Sequence, residues 1–150
     1  MKKLICLLIM VMLVSGCNAM YWYCRYQPTD IWGCGYKVAK IQDNIYSISF
    51  TGSQNDNFQR IKDFALLRSA DTTVENDYKY FVIMEDDLTG TSYGTTGQIN
   101  PGGTVSVVTQ QRNTVTYTIQ CFKKKPQDTK AIVYDAEQIS ANLRKTYKIK

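Results

Sequence analysis

The chain is 150 residues long, 44% hydrophobic, and carries 18 Lys and Arg against 13 Asp and Glu, with no histidine. That is one domain's worth of chain, large enough to fold without a metal or a disulfide. The missing histidine excludes Ser–His and Cys–His catalytic pairs and every histidine-ligated metal site.

Met1-Lys2-Lys3 is a basic start, Leu4 to Val14 an unbroken apolar run, and Val14-Ser15-Gly16-Cys17 follows directly. The run is too short to cross a bilayer, which takes about 20 residues. The arrangement resembles a bacterial lipoprotein signal with its lipobox. The resemblance implies that residues 1–16 are removed and that Cys17 takes a diacylglycerol and then an N-acyl (palmitate-type) chain. Membrane lipid is then the first partner, since two or more chains hold firmly where one binds marginally. Asn18, in place of the aspartate that favours inner-membrane retention in such lipoproteins, implies the outer membrane, with the domain facing the periplasm. Loss of Lys2 and Lys3 with the signal leaves 134 residues at a net charge of +3.

Cys6 leaves with the signal, so Cys24, Cys34 and Cys121 remain. In an oxidising compartment they allow one disulfide and leave one thiol. Cys24–Cys34 is the preferred pairing, and Cys34–Cys121 competes with it. No C-x-x-C is present, so neither a zinc knuckle nor a redox motif is indicated, and no cofactor is implied.

Residues 17–35 read as a lipidated tether rich in Tyr21, Trp22, Tyr23, Tyr26 and Trp32. These rings suit either a membrane–water interface or a cover packed on the domain. Residues 36–150 read as a single α+β domain. Tyr36-Val38 and Tyr46-Ile48-Phe50 alternate with period two around Gln42-Asp43-Asn44, which predicts a β-hairpin. Asp56 is a candidate N-cap, with Gln59 completing a capping box, for a helix over 57–73. Phe58, Ile61, Phe64 and Ala65 form a stripe that widens through Leu67 and Ala70, so this helix is expected to be covered on more than one side. A short strand follows over Lys79–Glu85, and strand, helix and strand in this order predict a crossover.

The polar, glycine-rich stretch 86–103 reads as a long loop. It lacks the G-K-[ST] and following helix of a phosphate cradle. Glu85-Asp86-Asp87 lack calcium-loop spacing and read as solvated acids. Val105-Val107 and Val115-Tyr117-Ile119-Cys121 predict a second hairpin turning at Arg112-Asn113. Lys123-Lys124-Lys125 reads as a solvated loop, and the other basic residues are scattered. The concentrated basic face of a nucleic-acid binder is therefore lacking. Ala131-Ile132-Val133 is a candidate strand. Asp135 caps a final helix with Ala136, Ile139, Leu143 and Tyr147 on one stripe and Arg144, Lys145 and Lys148 at its C-terminal end. The expected fold is an α+β two-layer sandwich, a mainly antiparallel sheet of four to six strands carrying two helices.

Tyr26-Gln27, Gly35-Tyr36, the segment Asn44–Gly52, Leu67-Arg68-Ser69-Ala70-Asp71-Thr72, Asp77-Tyr78-Lys79-Tyr80-Phe81 and Tyr134-Asp135-Ala136 together resemble a Caulobacter-named family of uncharacterised proteobacterial lipoproteins. Ser69 and Asp71 stand where that family tends to have alanine and glutamate, and its usual glycine before the Tyr78 strand is absent. The resemblance implies the fold and the lipid anchor and transfers no site. It singles out Arg68 and Asp71, three apart on a helix, as a structural ion pair.

The expected function is non-catalytic. A lipid-anchored envelope protein would bind or stabilise another envelope protein, as a subunit of a secretion or transport assembly does. A peptidoglycan- or lipid-binding module, with Tyr21, Trp22, Tyr93 and Tyr117 available for stacking, is the alternative. A carboxylate-only hydrolase using Asp56, Asp86 and Asp87 ranks last, because nothing in their spacing predicts convergence. The sequence leaves the oligomeric state open.

Overall fold

The computed structural model describes residues 23–99 and 105–150. The lipobox with Cys17 and Asn18, and the aromatic pair Tyr21 and Trp22, lie outside the described residues, as does the side chain of Tyr93.

Two strands, β1 (Gly35–Gln42) and β2 (Ile45–Thr51), form the first hairpin, paired from Gly35↔Thr51 to Gln42↔Ile45. Alternation sets the register: Tyr46, Ile48 and Phe50 are buried on one face, and Ser47 and Ser49 lie on the other. The chain then enters α1 (Phe58–Glu75). Its N-cap is Asn57, whose side chain accepts from the Arg60 N–H, rather than Asp56. The expected capping box does not form, because the Asp56 carboxylate is drawn inward and Gln59 donates to Asp63 instead. Ile61, Phe64, Ala65, Leu67 and the run Ser69–Thr73 are all buried. The helix is thus covered on more than one side. Ser69 and Thr73 remain inside because their hydroxyls donate to the carbonyls of Ala65 and Ser69, one turn back.

After α1 come β3 (Tyr80–Ile99) and β4 (Val105–Phe122), each far longer than the sequence pattern suggests. The stretch 86–99 is a strand rather than a loop, and β4 runs unbroken through Arg112-Asn113 where a turn was expected. A tight hairpin turn needs positive φ, and among the described non-glycine residues only Asp77 and Lys148 have it. Near the body β4 lies between β2 and β3. Beyond Thr114 the β3–β4 ladder continues alone to Ile99↔Val105 as a two-stranded ribbon. A three-residue β5 (Val133–Asp135) pairs with Tyr80–Val82, slightly later in the chain than expected.

The sheet order is β1-β2-β4-β3-β5, with every pairing antiparallel. β2 and β3 therefore run parallel with β4 between them, and α1 makes the crossover. α2 (Ala136–Tyr147) begins at the Asp135 cap, whose side chain accepts from the Gln138 N–H. It packs on α1 and β5. The core is the layer between α1 and the sheet, where Phe50, Phe64, Phe81, Ile48, Ile61 and Ile119 are essentially inaccessible. Each contributes roughly 1.5–3 kcal/mol of burial. Phe64 sits edge-on to Phe50 and to Tyr147, joining sheet, α1 and α2.

Candidate functional site

The segment before β1 is fastened to the body at three points. Cys24 and Cys34 are joined in a disulfide. The Cys24 N–H donates to Asp56 Oδ2 at 3.0 Å, an oxygen that also accepts from the Ser53 N–H and hydroxyl. This is why Asp56 is unavailable as a helix cap. Cys121, the other candidate partner of Cys34, is instead a buried free thiol under α1, 3.4 Å from the Thr73 hydroxyl. Burial pushes its pKa up, which leaves it unreactive.

Tyr26 is the second fastening. Its ring lies 5.2 Å from Tyr36 and 5.8 Å from Phe64, and its hydroxyl donates to Asp71 Oδ2 at 2.5 Å. Burial first, and then the Asp71 hydrogen bond and charge, hold the phenol protonated well above its usual range. Asp71 also accepts from Ser140 at 2.8 Å and Arg144 at 2.7 Å, both on α2. The expected Arg68–Asp71 pair does not form. Arg68 reaches two turns along the helix to Glu75, with two hydrogen bonds of 2.9 and 2.7 Å, and its guanidinium lies over the Tyr36 ring. The two side chains serve different neighbours: Arg68 covers the β1 side of α1, and Asp71 faces α2 and Tyr26.

The third fastening closes the loop itself. Tyr36 and Gln27 exchange backbone contact through Tyr36 N–H to Gln27 O at 2.9 Å, and Pro28 bridges to Tyr36. Asp30 then organises a tight turn. Its Oδ1 accepts from the Trp32 N–H at 2.9 Å and the Cys34 N–H at 3.0 Å, while the Gly33 N–H donates to its carbonyl at 3.0 Å. From the base of the ribbon, Arg112 donates to the Trp32 carbonyl. At the tip of this braced turn Ile31 is 92% exposed and Trp32 is 70% exposed. Single exposed apolar residues are ordinary. Here an adjacent pair is held outward by a disulfide, an aspartate and a cross-strand arginine.

Beside the loop, on the sheet face away from the helices, is an open depression of about 630 Å³ lined by Pro28, Thr29, Lys37, Val38, Ser47 and Ser49. It is shallow and carries one cation and several hydroxyls, which suits contact with a polar surface better than enclosure of a small molecule.

The aromatic residues of the segment thus divide. Tyr26 packs as a cover, Tyr23 lies half exposed with the Arg60 guanidinium 5.4 Å from its ring, and Trp32 faces solvent. Tyr117 is buried on the helix face of β4 and unavailable for stacking on a sugar. Asp56 is enclosed and engaged by Ser53, Cys24 and Arg60, whereas Glu85, Asp86 and Asp87 are exposed along β3, solvated as expected. Among the described residues no group of three or more Cys, Asp and Glu is placed to hold a metal ion. Lys123–Lys125 form an exposed connection between β4 and β5. Asp30 and Arg112 escaped the sequence reading. Asp30 precedes a Trp-Gly pair, an Asx-turn signal that could have been read, whereas the contact of Arg112 spans eighty positions and left no local trace.

Fold and site define a small α+β domain: among the described residues, an open, five-stranded antiparallel sheet with two helices and a disulfide-closed loop ahead of its first strand. No protein-family model, curated protein or solved structure matches the chain. Among the described residues no helix is long and apolar enough to cross a membrane.

Proposed function

We propose that the protein is a non-catalytic, lipid-anchored envelope protein of the outer membrane. In this reading, its disulfide-closed loop docks on another envelope component, which it helps to assemble or stabilise. The observation that carries the reading is the Ile31–Trp32 pair, held outward on a braced turn. Holding a hot-spot residue in its binding conformation lowers the ordering cost of association, and tryptophan is among the residues most enriched at such positions. The disulfide suits an oxidising compartment. The resemblance to a lipobox at Cys17 supplies the anchor, which would hold the loop within a short stretch of chain from the membrane surface. Acyl groups on Cys17 are the only prosthetic chemistry the reading needs.

Mild crosslinking in cells, membrane purification and mass spectrometry test it, with Cys17→Ser and Trp32→Ser chains alongside. The reading predicts a stoichiometric envelope partner that is lost in both variants. Recovery of the chain alone, or with cell-wall fragments only, contradicts it and favours wall binding through the polar depression.

A further inference from the structure

The ribbon built by the distal parts of β3 and β4 has two outer edges, and they are unlike. Beyond Val82, where β5 stops, the β3 edge carries Glu85, Asp86 and Asp87. Both register shifts of the ladder, at Ile83/Glu85 and Ser92/Thr95, place the extra residue on β3. Charges and bulges are the devices by which proteins blunt an exposed edge. On β4, beyond Thr114 where β2 stops and past Arg112, which holds the Trp32 carbonyl, the edge from Gln111 to Val105 has neither. From Val105 to Gln111 the sequence is Val-Ser-Val-Val-Thr-Gln-Gln, without a charge or a proline, and β4 contributes no extra residue to the ladder. Among the described residues no strand lies beside it. A ribbon of two strands is marginally stable in water, and a third strand is what makes such a sheet persist.

Alternation identifies the open backbone groups. The Cys121 N–H donates to Asn44 and the Asn113 carbonyl accepts from the Gly52 N–H, both on the β2 side of β4. In an antiparallel ladder alternate residues turn both groups the same way. Val105, Val107, Thr109 and Gln111 therefore present their N–H and C=O outward, and Ser106, Val108 and Gln110 bond to β3.

We infer that this edge pairs with the same edge of a second copy, around a two-fold axis at Val108. In that register Val108 faces its own counterpart, Val107 faces Thr109 of the second copy, and Val105 faces Gln111 of the second copy. The four outward-facing residues of each chain are then all paired, each pair exchanging two hydrogen bonds. The product is a four-stranded antiparallel sheet in the order β3-β4-β4-β3. A copy added head to tail does not fit, because β2 already occupies the β4 edge from Thr114 onward and would overlap the incoming body. The two-fold inverts the second copy and sends its body beyond the ribbon tip, giving a closed, self-complementary interface. The edge needs no other component and no lipid, so this inference stands apart from the docking role of the Trp32 loop.

The test uses the full chain in detergent micelles. A pair across a two-fold axis at a non-hydrogen-bonded position has Cα atoms about 4.5 Å apart, within disulfide range. Ser106 lies four positions out of register with its own counterpart, about 13 Å away. Under a mild oxidant, Val108→Cys should form covalent dimers at least tenfold faster than Ser106→Cys, above the background of the unmodified chain. Val107→Pro removes an outward N–H and leaves the bonds to β3 intact. It should weaken dimerisation at least tenfold by light scattering, while Val107→Thr should not. Equal crosslinking at both positions, a monomeric unmodified chain, or a dimer that survives Val107→Pro overturns the inference. So does slow amide exchange at Val105–Gln111 that appears only when a different envelope protein is added. If Val107→Pro disrupts the ribbon itself, the comparison of the two cysteine variants decides alone.

Discussion

Asp71→Ala is expected to be among the most destabilising single changes outside the apolar core. Its carboxylate is nearly enclosed, with 10% side-chain exposure, and accepts from Tyr26, Ser140 and Arg144 at 2.5–2.8 Å. Removing it leaves three donors from two other elements without their acceptor. Hydrogen bonds to a charged group contribute about 1.5–3 kcal/mol each, and breaking a buried ion pair costs about 3–5 kcal/mol. Arg144 is 33% exposed and recovers part of its hydration, so its share is discounted. The net expectation is about 3 kcal/mol, a large fraction of the roughly 5–15 kcal/mol that holds a domain together. For a chain of this size that corresponds to a fall in Tm of roughly 10 °C. Asp71→Asn keeps an acceptor oxygen and should lose about half as much. Urea unfolding followed by circular dichroism, with the disulfide intact, measures both. A double-mutant cycle with Arg144→Met isolates the pair and should show a coupling of about 1–2 kcal/mol. A cost below about 1 kcal/mol for Asp71→Ala, or an additive cycle, would refute the view that this carboxylate ties the N-terminal segment and α2 to α1.

Three further outcomes follow from the same geometry. Gly35 has a φ of +118°, and a Cβ there would lie 2.4 Å from the Gln27 carbonyl oxygen and 2.9 Å from that of Pro28; Gly35→Ala should cost about 3 kcal/mol, read as lost urea midpoint and faster exchange of the Tyr36 amide. Replacing both Cys24 and Cys34 by serine opens a loop with a sequence separation of 10, and should lower stability by about 2–3 kcal/mol while reducing the fluorescence anisotropy of Trp32. Burial first, and then the Asp86 charge, push the Tyr117 phenol up to about 12. The unfolded chain releases this proton near pH 10, so the contribution is whole below pH 10 and is lost as pH rises toward 12. Between pH 9 and pH 11 this residue's share of the loss is about 1.3 kcal/mol, one pK unit's worth, and Tyr117→Phe should reduce the pH dependence by that amount, measured by urea unfolding at the two pH values.

Local chemistry made the compact body readable in the sequence. Period-two alternation in Tyr46, Ile48 and Phe50 sets one buried face, and the Asp135 cap with the stripe that follows it marks where α2 begins. The widening stripe of α1 correctly implies cover on more than one side. The ribbon was illegible for two reasons. Its Gly, Thr and Ser content carries a loop signal, and its two bulges shift the alternation phase that would have marked a strand. Its stability comes from pairing with a distant segment, which no local pattern encodes. The same holds for the polar contacts. Asp56 is spatially closer to Cys24 than its capping pattern suggests, and Arg68 chooses Glu75 because α2 delivers Arg144 to Asp71. Spacing on one helix shows which pairs can meet, and tertiary neighbours decide which do.

The braced loop is tested most directly in cells with a photo-activated residue in place of Ile31, compared with the same residue in place of exposed Gln138 on α2. The account predicts one dominant envelope adduct from position 31, absent from position 138, and lost when Trp32→Ser or Cys17→Ser is combined with it. Equal adduct patterns from the two positions, or none from position 31 in a folded, membrane-associated chain, would contradict it.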